Sequence, residues 1–425
     1  MVDESAEDAA FRAEARAWLA EHAPAYRQPV GPSPSLVFAD VSDTGHVVRG
    51  KAWQRELAAG GWSGLGWPAE HGGRGLPVAQ RVIWDAEAEA AAAGIPPGIN
   101  LVGEAMVGPT LMAHGTEAQQ RRYLPPILAA DEIWCQLFSE PDAGTDLAAV
   151  TTTAVASDDG DGWLVTGHKL WTSAAHYADW GILLARTDWD VPKHQGCTYF
   201  LVDMRSAGIT VRPVRQMTGG AAFDEVLLDG VRVSDSCRVG AVGEGWAVAV
   251  TTLSAERLHL GLGAARAAGT VERLLAEVRT RGVADDPAVR QVAAQVWIDA
   301  RVLEVLGERM AVAMAGEGAS GAEGAVARLA SIRLSRRTDE LLDAMRGADA
   351  MLVDDWTFHQ LWIPATRIGG GTEEALRSIV AERVLGLPKS PRPDAEVPFR
   401  QVHQRTGDDR EGQDAADRHQ LEPGS

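Results

Sequence analysis

The strongest constraint on this fold is where the apolar pattern changes period. Up to about residue 130 the sequence favours helix: "AFRAEARAWLAEH" and "QRVIWDAEAEAAAAG" are rich in helix formers, and Pro/Gly clusters at 66–77 and 94–98 interrupt them. From about 131 to 240 the pattern is β. "TTTAVASDDGDGWLVTGHKLW" predicts two strands around an Asp/Gly turn, and "WGILLART", "CTYFLVDM", "ITVRPV" and "FDEVLLDGVRV" are short β-branched runs bounded by turn residues. From about 241 to 388 the helix period returns, with Val292, Val296, Leu303, Leu306 and Met310 on one face. The sequence from Lys389 onward is polar, charged and Pro-bearing, which predicts a disordered tail over 389–425. The reading is an α+β chain without internal repeats: a helical domain over 1–130, a β domain over 131–240 and a helical domain over 241–388.

Composition narrows the function classes. A net charge of −19 argues against nucleic acid or an anionic membrane surface as partner. It leaves room for an anionic ligand at a local basic site. Cys135, Cys197 and Cys237 form no CxxC pair, and the 11 His show no HExxH spacing, so neither a disulfide framework nor a metal site is expected. The N-terminal stretch is acidic and amphipathic rather than signal-like, and no apolar run is long enough to span a bilayer. These features predict a cytoplasmic protein. The 14 Trp point to large buried pockets or interfaces.

Four segments could carry chemistry. "RIGGGTEEALRSIVAERVLGLP" places Gly369, Gly370 and Gly371 ahead of a helix; a glycine turn lets a phosphate or carbonyl oxygen approach bare backbone N–H groups, or is an ordinary loop with Thr372 as N-cap. "FSEPDAGTD" (Phe138 to Asp146) is either a tight turn or a loop lining a flat heterocycle or pyrophosphate. "KLWTS" offers a cation, the Trp171 indole and two hydroxyls, although a lone Trp is commonly core. "LSAERLHLG" sets Glu256 beside Arg257 on a predicted helix, where a carboxylate is ordinarily solvated. Two glycine patterns carry no dinucleotide site: Pro68 interrupts "GLGWPA" and no strand precedes it, and "GLGAAR" continues a helical stretch.

In this order, "GWPAEHGGRGLP", "HGTEAQQRRYLPPILAADEIWCQLFSEPDAGTDLA", "GHKLWTS", "FDEVLLDGVRV", "VGEGWAVA" and "GGGTEEALRSIVAERVLGLP" resemble the acyl-CoA dehydrogenase family, over about residues 8 to 388. The resemblance implies an all-α N-terminal domain, a central β-barrel or sandwich, and a C-terminal four-helix bundle. It also implies FAD, an acyl thioester substrate (CoA foremost), an electron-transfer flavoprotein as acceptor, and a homo-oligomer built as a dimer or a dimer of dimers. By the same resemblance Gln136, Phe138, Ser139 and Thr145 approach the cofactor, Trp171 and Ser173 lie beside its ring system, and Thr372 and Glu374 stand near it at the start of the last helix.

The implied reaction is α,β-dehydrogenation to the 2-enoyl thioester, with flavin N5 accepting the β-hydride. A base must take the α-proton while the thioester oxygen is stabilised. Many relatives keep a catalytic Glu at the place held here by Gly370, whose backbone N–H could polarise the thioester carbonyl but cannot take a proton. Other branches put the base in a segment of the form L-x-x-E-R, which Leu253 to Arg257 match, making Glu256 the expected base. Arg257 and Gly371 are the neighbouring substrate-binding positions. Two family features are absent: "RGVADDPAVRQ" lacks the Arg and Phe that reach a neighbouring subunit's FAD, and the adenine-end glycine segment reads "MRGADA". Those losses suit a hetero-oligomer, or a catalytically impaired partner subunit. A flavin oxidase or monooxygenase on the same fold is the remaining alternative.

Overall fold

A computed structural model describes residues 5–27, 44–91, 95, 99–262, 267–315 and 322–403. The "GLGAAR" pattern falls largely outside these, at 263–266. The N-terminal helices are α1 (Ala6–His22), α2 (Thr44–Ala59), α3 (Val78–Ala91), α4 (Gly108–His114) and α5 (Glu117–Leu128). Phe11, Ala15 and Leu19 of α1 recur every four residues and are buried. They meet an aromatic cluster in which Trp62 and Trp84 stack at 4.3 Å and Trp18 lies 5.6 Å from Trp53. Part of the high Trp content therefore builds this domain's core. Thr116 and Gln119 form a reciprocal capping box that starts α5.

Strands β1 (Trp134–Leu137), β2 (Thr153–Ala156), β3 (Gly162–Ser173), β4 (Trp180–Arg186), β5 (Cys197–Asp203), β6 (Ile209–Val214), β7 (Phe223–Ser234) and β8 (Arg238–Val239) form one eight-stranded sheet. The order is β6-β7-β3-β2-β4-β5-β8, with β1 parallel to β4. β4 and β5 read as continuous apolar runs because both faces are covered. Leu183, Ala185, Phe200 and Val202 share an inner core with Val226, Leu228 and Val231 of β7, so the sheet curls over itself. Ile182, Leu184, Tyr199 and Leu201 face the other way, into a core shared with the N-terminal helices and with Val248 and Ala249.

The C-terminal helices are α6 (Gly245–Leu262), α7 (Ala267–Thr280), α8 (Pro287–Ala315), α9 (Ala322–Arg346), α10 (Asp355–Thr366) and α11 (Glu373–Ile379). Val296, Leu303 and Met310, three of the predicted stripe on α8, are buried against Leu274 of α7 and Leu334, Leu341 and Leu342 of α9. Val292 packs against the same core, and Leu258 brings α6 to it.

The expected disorder beyond Lys389 does not hold for 389–403. This stretch lies on the β domain, with Phe399 buried and bonded to Val191. Its low overall hydropathy hid one aromatic anchor and several ion pairs, which suffice to offset the ordering of a short segment. Residues 404–425 lie outside the described residues.

Candidate active site

The site begins where β1 leaves the sheet. Gln136 is half-buried near its end and favours the charged form of the Glu256 carboxyl on α6. The chain then turns through "FSEPDAGTD", and this loop is held from beneath by a buried ion pair. Lys169 Nζ on β3 reaches Glu140 Oε1 at 2.8 Å, the Phe138 carbonyl at 3.0 Å and the Leu184 carbonyl at 2.8 Å. Glu140 also accepts from the Thr151 and Thr152 amides at 2.7 and 2.9 Å and from the Thr151 hydroxyl at 2.8 Å. Burial opposes its charge, but Lys169 and these donors prevail and hold its carboxyl down at about 2. The sequence offers Lys169 only as the cation of "KLWTS" and Glu140 only as part of "FSEPDAGTD"; together they fasten the loop.

With the base of the loop fixed, its tip is open. Thr145 is exposed, Ser139 is half-buried, and a Cβ on Gly144 would meet nothing within 4 Å. Phe138 departs from expectation: its ring turns into the core, edge-on to Tyr199 at 5.8 Å, because the strand's alternation continues through it. Its side chain is a packing element and not a ligand-facing one.

Trp171 is the conspicuous surface feature. The register between β3 and β7 shifts between Lys169 and Thr172, and Trp171 sits in that bulge with φ +62°. A left-handed backbone is unfavourable for a bulky residue and persists only where its surroundings enforce it. Beyond the bulge, Asp224 on β7 closes the turn after Ser173: its Oδ2 accepts from the His176 amide at 3.1 Å and lies 2.8 Å from His176 Nδ1. The bulge aims the indole outward, 56% exposed. Its ring meets Phe223 edge-on at 6.1 Å; Phe223 stacks on Trp362 of α10 at 5.8 Å, and Trp362 in turn stacks on Phe358. This aromatic ladder ties the β domain to the helix that leads into the three glycines.

Gly369 N–H donates to the Ala365 carbonyl at 2.9 Å and Glu373 N–H to the Arg367 carbonyl at 3.2 Å, closing the glycine turn. Gly370 and Gly371 lie between with φ +71° and +102°, conformations that glycine alone adopts at little cost, and the Gly370 amide takes no part in the closure. Thr372 caps α11 through its hydroxyl, which accepts from Ala375 N–H at 3.2 Å. The two acids that follow diverge. Glu373 is buried between Arg367, at 3.1 Å, and Arg377, whereas Glu374 is exposed.

Glu256 stands opposite. Part of the residue is open, yet its carboxyl is enclosed enough that burial raises it above the usual carboxylate range, against the pull of Arg257, Arg328 and Gln136. Arg257 donates to Ser254 Oγ at 3.1 Å. α9 packs against α6 here, where a Cβ on Gly324 would lie in ordinary contact, 3.4 Å from the Arg257 carbonyl. One turn on, Arg328 donates to the Thr366 carbonyl and, at 3.1 Å, to that of Gly369. Arg328, which carries no sequence motif, therefore anchors the glycine turn on the helix beside Glu256. Glu104 is another carboxyl raised by burial, but Gly64 N–H at 2.8 Å and Gln54 at 3.1 Å occupy it, so it braces a turn in the N-terminal domain.

Three sequence-family descriptions match in order: "Acyl-CoA dehydrogenase, N-terminal domain" over residues 5–131, "middle domain" over 135–231 and "C-terminal domain" over 243–385. The chain belongs to the acyl-CoA dehydrogenase family. It is 39% identical over 396 residues to acyl-CoA dehydrogenase IpdE1 of Mycobacterium tuberculosis, covering 89% of this chain and 97% of that protein. It is 41% identical over 323 residues to FadE34 of the same organism, covering 76% of this chain and 44% of FadE34. Among solved structures, the Tcur3481-Tcur3483 steroid ACAD superposes with a TM-score of 0.78 at 30% identity, covering 92% of this chain and all of that one. The ChsE4-ChsE5 complex of M. tuberculosis follows at 0.74 and 29%, with 92% of this chain covered and 100% of that chain.

The family is FAD-dependent, and this enzyme is an FAD-dependent oxidoreductase. The residues present suit such a group. An outward indole held at a strained backbone, the Thr145, Ser173 and Thr372 hydroxyls, and a loop tip with empty space above Gly144 make a donor set for a flat heteroaromatic with a phosphate tail. Among the described residues no helix is long and apolar enough to cross a membrane.

Proposed function

We propose that Glu256 takes the α-proton of an acyl thioester while the Gly370 N–H polarises the thioester carbonyl. The observation that carries this reading is Arg328, which donates to the Thr366 and Gly369 carbonyls and acts by its charge on Glu256, so that the glycine turn is tied to the helix beside the only carboxyl in the L-x-x-E-R segment. Burial makes Glu256 a stronger base than a solvated carboxylate, while Arg257 and Arg328 favour its ionised form. Gly370 offers an amide not used in closing its own turn, and a glycine there lets the acyl carbonyl approach the backbone. Bound FAD supplies the acceptor for the β-hydride. Gln136, Ser139, Thr145, Trp171, Ser173 and Thr372 orient it, and the exposed indole shields that face from water.

The acyl group is proposed to be bulky and ring-bearing, delivered as a CoA thioester. The resemblance to a structure described as a steroid ACAD supports this. The test is an anaerobic bleaching screen: thioesters of steroid-derived acids should reduce the flavin faster than straight-chain acyl-CoAs, and the reverse order would overturn the substrate class.

A second reading concerns assembly with an unlike subunit. Met351, Leu352 and Val353 form an exposed apolar run, with Val353 99% exposed, and Trp297, Ile298, Val302 and Val305 are exposed on α8. Apolar surface of this extent calls for a partner, and two similar structures are described as two-component proteins. Stoichiometric FAD and full activity in the chain purified alone would refute a need for an unlike partner.

A further inference from the structure

The segment beyond the last helical turn returns to the β domain and reaches the same loop as the Glu140–Lys169 pair. It docks on the connection between β4 and β5. Phe399 N–H donates to the Val191 carbonyl and Arg400 N–H to the Trp189 carbonyl, both at 2.9 Å. The Arg400 guanidinium pairs with Asp190 at 2.8 and 3.2 Å. Two routes continue inward. Along the first, the buried Phe399 ring lies 3.8 Å from the Arg186 guanidinium carbon, with Trp189 at 5.6 Å from that carbon. Arg186 is buried, and its donors go to the carbonyls of Ala148 at 2.6 Å, Val150 at 3.0 Å and Lys193 at 3.2 Å. Ala148 and Val150 directly follow the "FSEPDAGTD" loop. Along the second, Lys193 Nζ bridges Asp394 of the tail, at 3.1 Å, and Asp146, the last residue of the loop, at 2.7 Å.

We propose that residues 391–403 are a clamp that positions the Phe138–Asp146 loop and thereby sets how tightly FAD is retained. The physical reasons are separate for each route. A buried guanidinium whose bonds all go to neutral carbonyls gains from an aromatic face laid over it, and without Phe399 that face would open to water. Lys193 is a shared cation: with Asp394 in place it is held where it can meet Asp146, and its long side chain surrenders its freedom to two acids instead of one. Phe399, Asp394 and Lys193 are thus positioning residues, acting on the cofactor through the loop. The inference rests on reading that loop as cofactor-binding.

The test uses the full-length holoenzyme and its Phe399→Ala and Asp394→Asn variants, with hydrogen exchange read peptide by peptide and FAD affinity read from released-flavin fluorescence. Amides over 141–150 are expected to exchange faster in both variants while those of β3 and β7 stay as in the parent. The FAD Kd should rise about tenfold for Phe399→Ala, as loss of a ~1.4 kcal/mol interaction would give, and less for Asp394→Asn. Unchanged loop exchange would overturn the clamp, and so would uniform loosening of the whole β domain, which marks a general stabiliser. The cofactor reading is checked separately on the parent chain: if adding FAD does not protect 139–146 there, that reading fails whatever the variants do.

Discussion

Two glutamates, Glu140 and Glu256, are both removed from bulk water, and their surroundings push them in opposite directions. Glu140 meets Lys169 at 2.8 Å and two backbone amides, and is held down at about 2. Glu256 has Arg257, Arg328 and Gln136 favouring its charged form, and burial outweighs them and lifts it. The contrast separates structural from chemical use of one side chain. A carboxylate saturated by short charged and amide donors is held in its charged form. One that is enclosed but lacks such donors holds its proton more readily.

The sharpest way to break this contrast is to neutralise each acid. Glu256→Gln should slow anaerobic flavin reduction by roughly 10²–10⁴-fold and leave FAD bound, as followed by stopped-flow bleaching. A variant that reduces at the parent rate would remove Glu256 from the chemistry. Glu140→Gln should act on stability, because it strands the buried Lys169 charge. Breaking a buried pair in this way costs about 3–5 kcal/mol, measurable by denaturant unfolding. If it instead slowed reduction without lowering stability, the two roles would have to be exchanged.

The pH dependence sharpens the same point with the two signs opposed. Glu140 has a folded value below its unfolded 4.5, so its contribution to stability is present above that value and is lost as pH falls from 4.5 through about 2. Glu256 has a raised folded value, so its contribution is full below 4.5 and declines as pH rises through the raised value. The rate of flavin reduction should rise over that same upper range, because the ionised form is the base. Arg328→Met should move this limb to higher pH by removing one of the cations that favour ionisation, and an unmoved limb would show that Arg328 does not act on Glu256. The smallest effect belongs to Thr372→Ala, which removes the cap of α11 and should cost about 1 kcal/mol by the same unfolding measurement.

Much of the architecture was legible because it follows from local pattern. The period change at about 131 and 240 marks the β block, and the α8 stripe marks a buried face. The site was legible only in pieces. "GGGTEE" and "LSAERLHLG" are far apart in sequence and each is ordinary alone; a family resemblance ordered them, but neither announces Arg328. The direction of the Phe138 ring was not legible, because strand alternation carries it inward past the end of β1. The tail was misjudged because disorder is read from average composition, whereas docking needs only a few well-placed anchors.

The sequence by itself determined the order of helical, β and helical regions, the glycines that permit the backbone at 370 and 371, and a carboxylate in the L-x-x-E-R segment. Those are properties of a residue and its near neighbours. Only the tertiary structure decided which acid is saturated and which is free to titrate, why Trp171 is turned outward, and that the tail reaches the loop at 138–146. Proton affinity and side-chain direction depend on donors, charges and enclosing surface supplied from across the fold, and no local pattern carries that information.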